Sequence, residues 1–252
     1  MNPLLSLNMS NRYDAAVTRF SPSGHLFQVD YAFEAVKRGA CAVGVKTKDS
    51  VILGVERKAT PKLQESTTIK KIFQLDSHLA IACAGLTADA RLLTQRTVRE
   101  CQEYRLTYDQ KPSVNYIAKF IAKIKQRYTQ VGGTRPFGVS SLIVGYDQAK
   151  EPMLYLTEPS GSYSLWKAAA IGHNAKNVTE LFEKKYKDEV SHEEGLKLAV
   201  EGLMEIVESG NKNMEIAYMK KDEKLVKMTE EEVKALIEVI EKEKQQPGAA
   251  PK

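Results

Sequence analysis

The chain has 252 residues, 42% of them hydrophobic and 27% charged, with a formal net charge of +5. That balance suits one large domain or two small ones burying a substantial core. No apolar run approaches the ~18 residues that span a bilayer, the basic residues are scattered, and no RNP-like or zinc-finger pattern occurs, so neither a membrane nor a nucleic acid is an expected partner.

The first residues, M-N-P-L-L-S-L-N-M-S-N, lack a positive leader and carry only a short near-apolar patch. They predict a mobile tail over residues 1–11 rather than a secretory signal. A Pro-x-Gly turn at Pro22 and Gly24 then feeds a helical pattern opening near Gln28. There Leu26, Val29, Ala32 or Phe33 and Val36 recur at spacings of three and four. Ala42–Val45 and Val51–Val55 are β-rich runs around the polar turn Lys46–Ser50, a hairpin signal. Ile69–Leu75 and Leu79–Ala84 repeat it around Asp76-Ser77-His78.

The period then changes. Thr87 to about Leu106 reads as a helix with Ala90, Leu93, Val98 and Cys101 facing inward. Ser113 can cap a second helix whose stripe Val114, Ile117, Ile121, Ile124, Tyr128 is the clearest helical signal in the chain. Beyond Gly132-Gly133, strands are expected at Val139–Tyr146, Met153–Thr157 and, as one element, Tyr163–Ala170. Asn174 is placed to cap the helix carrying Val178, Leu181 and Phe182. Ser191-His192-Glu193-Glu194 is a capping box before Leu196, Ala199, Val200, Leu203 and Ile206, and Thr229-x-x-Glu232 is a second one before Val233, Leu236, Ile237 and Ile240. Between them lies a strand pair, Glu215–Met219 and Leu225–Met228. Strands and helices come in separate blocks with no Pro/Gly-rich linker, so one α+β domain is predicted, with two stacked antiparallel sheets and helix pairs on both outer faces. Cys41, Cys83 and Cys101 sit in apolar stretches without metal-like spacing and read as buried free thiols of a reducing compartment. The four histidines (His25, His78, His173, His192) share no metal spacing and are expected on surface turns.

Residues Phe20 to Ala35 read F-S-P-S-G-H-L-F-Q-V-D-Y-A-F-E-A, with Arg12-Tyr13-Asp14 before them and Lys37-Arg38-Gly39 after. Further along stand A-G-L-T-A-D-A-R (Ala84 to Arg91), K-Q-R-Y-T-Q (Lys125 to Gln130), R-P-F-G-V-S (Arg135 to Ser140) and E-P-S-G-S-Y (Glu158 to Tyr163). On these motifs the chain resembles, over nearly its whole length, the alpha-type subunits of the proteasome core particle. Leu86–Arg91, Lys125–Gln130 and the stretch around Trp166-Lys167-Ala168 are most similar to the paralogue at the fourth position of the eukaryotic ring. The resemblance implies a four-layer α-β-β-α sandwich of the N-terminal-nucleophile hydrolase type with an extra N-terminal helix. It implies a single domain over 12–243 between the tail 1–11 and a polar tail 244–252. The implied role is that of a non-catalytic structural and gating subunit in cytoplasm and nucleus, without cofactor or metal. Its implied partners are neighbouring alpha subunits in a seven-membered ring, the beta ring, the C-termini of activators, and unfolded polypeptide in transit.

Catalytic relatives of that family expose a threonine at the start of the first strand, with its α-amino group as base and a lysine and an acid nearby. Matching Ala42–Val45 and Leu53–Glu56 to that pattern places Ala40 at or beside the nucleophile, Glu56 at the acid and Lys71 at the lysine. Ala40 has no hydroxyl and is preceded by 39 residues, so no catalytic residue is expected. The competing reading is a threonine-type peptidase using some other residue. Glu56 then reads best as a solvated carboxylate at a strand end. Lys71 is implied by the resemblance to line the pocket for activator C-terminal carboxylates, with Gly39 and Gly85 as its small residues. The plainer alternatives are a solvent-facing lysine and two turn glycines. Tyr13, Asp14, Pro22 and Tyr31 match the cluster that sets the gate turn, although Ala15 stands where the family usually has arginine.

Overall fold

Alternation of side chains at period two, then at three to four, builds the molecule in blocks. In the computed structural model the described residues are 16–57, 63, 70–147, 151–206, 214–221 and 223–245. Residues 1–15, with Tyr13, Asp14 and Ala15, lie outside them, as do Ile69 and residues 246–252. Helix α1 (Phe27–Lys37) leads into strands β1 (Ala42–Lys46), β2 (Ser50–Glu56), β3 (Ile72–Asp76) and β4 (Leu79–Gly85). Helices α2 (Thr87–Tyr108) and α3 (Val114–Gln130) follow, then β5 (Val139–Tyr146), β6 (Pro152–Thr157), β7 (Tyr163–Leu165) and β8 (Ala168–Ile171). The chain closes with α4 (Ala175–Lys185), α5 (His192–Met204), β9 (Met214–Lys220), β10 (Val226–Lys227) and α6 (Glu230–Gln245). The strands form two five-stranded sheets, β10-β9-β2-β1-β8 and β3-β4-β5-β6-β7, with every pairing antiparallel.

Strand alternation sorts the core into three slabs. Ala42, Val51, Leu53 and Val55 of the first sheet meet Ala80, Ala82, Leu142, Val144 and Leu154 of the second. The opposite faces of β1 and β2 give Val43, Val45 and Ile52 to α4, α5 and α6, against Val178, Phe182, Leu203 and Ile237. On the far side Leu79, Ile81, Val139 and Ile143 pack on Leu93, Cys101, Ile117 and Ile121 of α2 and α3. This is the expected four-layer sandwich, with α1 set at one end of it. Each fully buried Leu or Ile contributes roughly 1.5–3 kcal/mol of transfer free energy, so the three slabs outweigh any surface term. No helix among the described residues is long and apolar enough to cross a membrane.

Local signals hold where they are strong. Ser113 Oγ accepts from the Tyr116 N–H at 3.1 Å. Both capping boxes close, Ser191 with Glu194 and Thr229 with Glu232. All three cysteines are free and buried.

Three expectations need correction. The run Tyr163–Ala170 is two strands in different sheets. The Trp166 N–H donates to the Leu154 carbonyl of the second sheet, whereas the Lys167 carbonyl accepts from the Lys46 N–H of the first. Asn174 sits at the start of α4 in a left-handed conformation (φ 52°) and makes no side-chain cap, so its backbone, not its amide, shapes that entry. Two histidines are half-buried instead of surface residues, although His78 does lie in the expected turn. His78 is 11% exposed and its Nε2 donates to the Pro112 carbonyl at 2.7 Å. His192 Nδ1 lies 2.8 Å from the buried Ser50 Oγ.

Candidate functional site

The turn that opens the molecule is held by its own backbone. The Gly24 N–H donates to the Ser21 carbonyl at 2.9 Å, the Ser21 N–H to the His25 carbonyl at 2.8 Å, and the His25 N–H to Ser21 Oγ at 2.9 Å. Pro22 lies exposed inside that loop, its ring fixing φ for the turn. Helix α1 buries Val29, Ala32 and Val36 and leaves Tyr31 49% exposed, its ring stacked near Phe27 with centroids 6.5 Å apart. Pro22 and Tyr31 are therefore both exposed.

Helix α1 ends against the sheets through glycines. A Cβ on Gly39 would lie 2.3 Å from the Gly85 nitrogen, and a Cβ on Gly85 would lie 2.1 Å from the Gly138 oxygen. Gly85 also has φ +121°, a conformation that side chains rarely adopt. Gly39 and Gly85, predicted to belong to one pocket, are thus in direct backbone contact, and a third segment joins them at Gly138. From Gly39 the chain runs into β1, the Gly39 carbonyl accepting from the His173 N–H at 2.9 Å.

At the start of β1, Ala40 precedes Cys41, which is fully buried. The Cys41 N–H donates to Glu56 Oε2 at 3.1 Å, and the Glu56 N–H donates back to the Cys41 carbonyl at 2.9 Å. Lys71 Nζ donates to the Glu56 carbonyl at 2.9 Å. The three matched positions Ala40, Glu56 and Lys71 therefore do come together. Glu56 does stand at a strand end, but it is half-buried and its carboxylate ties the start of β1 to the end of β2. Burial, then the neighbouring Glu56 charge, pushes the Cys41 thiol up to about 12, so this sulfur next to Ala40 stays a thiol at neutral pH. Among the described residues no three His, Cys, Asp or Glu side chains gather as a metal ion would require.

Sequence reasoning missed two features here. Asp89, in the first turn of α2, accepts from Arg135 Nη1 and Nη2, each at 2.7 Å, and from the Gly138 N–H at 3.1 Å. Burial would raise its pKa, but the Arg135 guanidinium and the Gly138 N–H hold its carboxyl below the usual range. Both partners stood inside the A-D-A-R and R-P-F-G motifs, which showed them as likeness without showing that they touch. Lys125, on the buried stripe of α3, is 0% exposed. Its Nζ donates to Thr157 Oγ1 at 2.9 Å, to the Thr157 carbonyl at 3.1 Å and to Ser141 Oγ at 3.3 Å. Burial pulls that ammonium down to about 7. Lys125 falls four residues after Ile121, a spacing that was available, but its charge argued against burial.

Comparison with known proteins places the chain in a family. A model of the family described as "Proteasome subunit" matches residues 36–219, and a model of the N-terminal signature of A-type proteasome subunits matches residues 13–35. The chain is 58% identical to a proteasome subunit alpha type-7 of Dictyostelium discoideum over 236 residues, 94% of each chain. It is 52% identical to a proteasome subunit alpha type-7 of Solanum lycopersicum over 240 residues, 95% of this chain and 92% of that one. A proteasome subunit alpha type-7-B of Arabidopsis thaliana is 52% identical over 243 residues, covering 96% and 97%.

Proposed function

The chain belongs to the proteasome subunit family, in its alpha-type branch, and from that premise we propose that it is a non-catalytic structural and gating subunit of the core particle's alpha ring. It assembles with other proteasome subunits. Its place is in a seven-membered ring above the beta ring, in cytoplasm and nucleus, where unfolded polypeptide passes and the C-termini of activators dock. Three buried free thiols suit those reducing compartments.

The observation that carries the reading is the start of β1. Ala40 offers no hydroxyl, the adjacent Cys41 thiol is buried, and Glu56 is committed to the Cys41 backbone. The acid and lysine that catalytic relatives use are here turned into strand-end hydrogen bonds, with Lys71 held on the Glu56 carbonyl. A compact ammonium at that corner fits a terminal carboxylate as a point charge, with Gly39 and Gly85 leaving room for close backbone approach. Tyr13, Asp14, Pro22 and Tyr31 are assigned to the gate turn, the tail 1–11 to the gate itself and 12–243 to the domain.

The test is a covalent threonine-directed inhibitor applied to assembled core particles. Label is expected on other subunits and absent from this chain, and label on this chain would restore the peptidase reading. Lys71→Ala should lower activator-stimulated hydrolysis relative to each particle's own unstimulated rate. An unchanged ratio would return Lys71 to a plain strand-end role.

A further inference from the structure

Helix α2 opens without a side-chain cap, because Leu86 occupies the cap position. A carboxylate in its first turn would ordinarily serve the orphan N–H groups there. Asp89 instead turns to the segment 135–138. It takes a bidentate, charge-assisted pair from Arg135 and a third hydrogen bond from the Gly138 N–H. Gly138 is held through its next peptide as well, its carbonyl accepting from the Leu86 N–H at 2.9 Å.

Gly138 is the residue on which the candidate pocket stands. The Gly138 oxygen is the atom that a Cβ on Gly85 would strike, and Gly85 in turn fills the space where a Cβ on Gly39 would go. Helix α1 rests on the same residue, since a Cβ on Gly138 would lie 3.3 Å from Ala35 Cβ. Two residues after Gly39, Cys41 exchanges backbone and side-chain hydrogen bonds with Glu56, whose carbonyl holds Lys71 Nζ. From Gly138 through Gly85 to Gly39 the contacts are backbone to backbone, and Cys41 and Glu56 are joined through their backbones. A shift at Gly138 is thus passed along the main chain, and only the last link, Lys71 to the Glu56 carbonyl, runs through a side chain.

We propose that Asp89 and Arg135 are positioning residues for the Lys71 corner, setting the Gly138 peptide against Gly85 and thereby fixing where Lys71 presents its ammonium to a terminal carboxylate. The inference rests on the docking role assigned to Lys71 above. Asp89 touches no docked peptide in this scheme and acts only through the glycine contacts. Its effect on docking therefore falls on how tightly a carboxylate is held.

Assembled core particles carrying the variant chain test it. The probe is a synthetic activator C-terminal heptapeptide bearing a photo-cross-linker, with a free carboxylate or as the C-terminal amide, and the readout is its cross-linking to this chain against concentration. Asp89→Asn should raise the half-saturating concentration of the free-acid peptide by of order tenfold at an unchanged plateau, and leave the amide curve where it is. Asp89→Glu should recover part of the loss. Lys71→Ala should bring the acid and amide curves together. If the wild-type chain does not distinguish acid from amide, the docking role of Lys71 fails, and this inference with it. If Lys71→Ala removes the distinction while Asp89→Asn leaves the half-saturating concentration unmoved, the docking role stands and the positioning role is overturned. Should Asp89→Asn particles not assemble, Arg135→Lys, which keeps the charge and loses the bidentate fork, decides the same question by the same shift.

Discussion

At one end of the sandwich Gly39, Gly85 and Gly138 bring three backbone segments into contact, while at the other end a cleft of about 410 Å³ stays open between the sheets. Both ends are made of strand termini and loops, yet they differ in what fills them. The cleft is walled by Pro112, Tyr146 and Met219 and rimmed by Lys111, Lys221 and Lys224, none of which makes an ion pair among the described residues. Tyr146 bridges the sheets there, its hydroxyl donating to the Asp49 carbonyl at 2.8 Å. Charges at the packed end are committed to named partners, Asp89 to Arg135 and Glu56 to Cys41. Close backbone contact and paired charge are concentrated at the glycine end, and open space at the cleft.

The largest expected break in that contrast is Gly85→Ala. The added Cβ would meet the Gly138 oxygen at 2.1 Å with φ at +121°, and strain plus overpacking should cost about 4 kcal/mol. Thermal unfolding of the purified chain would show it, and an unchanged midpoint would mean that the three-segment contact relaxes freely.

Lys125 lies one layer beneath the same end, where Cys83 pairs with Ser141 and Ser141 with Thr157. Because burial lowers its pKa to about 7, the unfolded chain binds this proton more tightly than the folded one between about pH 7 and 10.5. The cost of burying the group is fully present below pH 7 and fades as pH rises through that window. Wild type should therefore gain stability over Lys125→Met between about pH 7 and 10, by an amount of order a few kcal/mol. A stability difference flat across that window would mean that the ammonium keeps an ordinary pKa.

Asp89 runs in the opposite sense. Its folded-state pKa is depressed, so its contribution is present above the unfolded value near about 3.9 and is lost as pH falls through the folded one. The advantage of wild type over Asp89→Asn in chemical denaturation should shrink on acidification below about pH 4. An advantage that persists at low pH would assign it to shape and not to charge. The smallest effect belongs to the open end, where Lys224→Ala should change stability by less than about 0.5 kcal/mol. A larger loss would mean that the cleft rim is as constrained as the glycine contact.

Much of the fold was legible because it is written in short-range terms. The stripe Val114, Ile117, Ile121, Ile124, Tyr128 and the boxes at Ser191 and Thr229 each need only a few residues of one chain segment to make their case. The boxes appear as read, and the stripe is buried over its first three members and half-buried at Ile124 and Tyr128. The failures share a cause. Tyr163–Ala170 carries one uninterrupted β pattern, but the decision to leave one sheet for the other at Trp166 and Lys167 depends on where Leu154 and Lys46 lie. Glu56 looked solvated because nothing local predicts that its carboxylate would meet the Cys41 N–H, fifteen residues back. Lys125 is absent from the expected buried stripe because its three acceptors come from β5 and β6, which nothing local shows.

By itself the sequence determined the blocks, their periods, the helix starts and the missing hydroxyl at Ala40, since these depend on side-chain chemistry and on neighbours within a turn or a hairpin. Only the tertiary structure decided that Gly39, Gly85 and Gly138 touch, that Asp89 serves Arg135 and Gly138 instead of its own helix, and that Lys71 hangs on the Glu56 carbonyl. Those are contacts between segments 15 to 53 residues apart, and their partners are chosen by how the sheets stack. A glycine's value to the fold lies in the space it leaves for another segment, and that space exists only once the layers have closed.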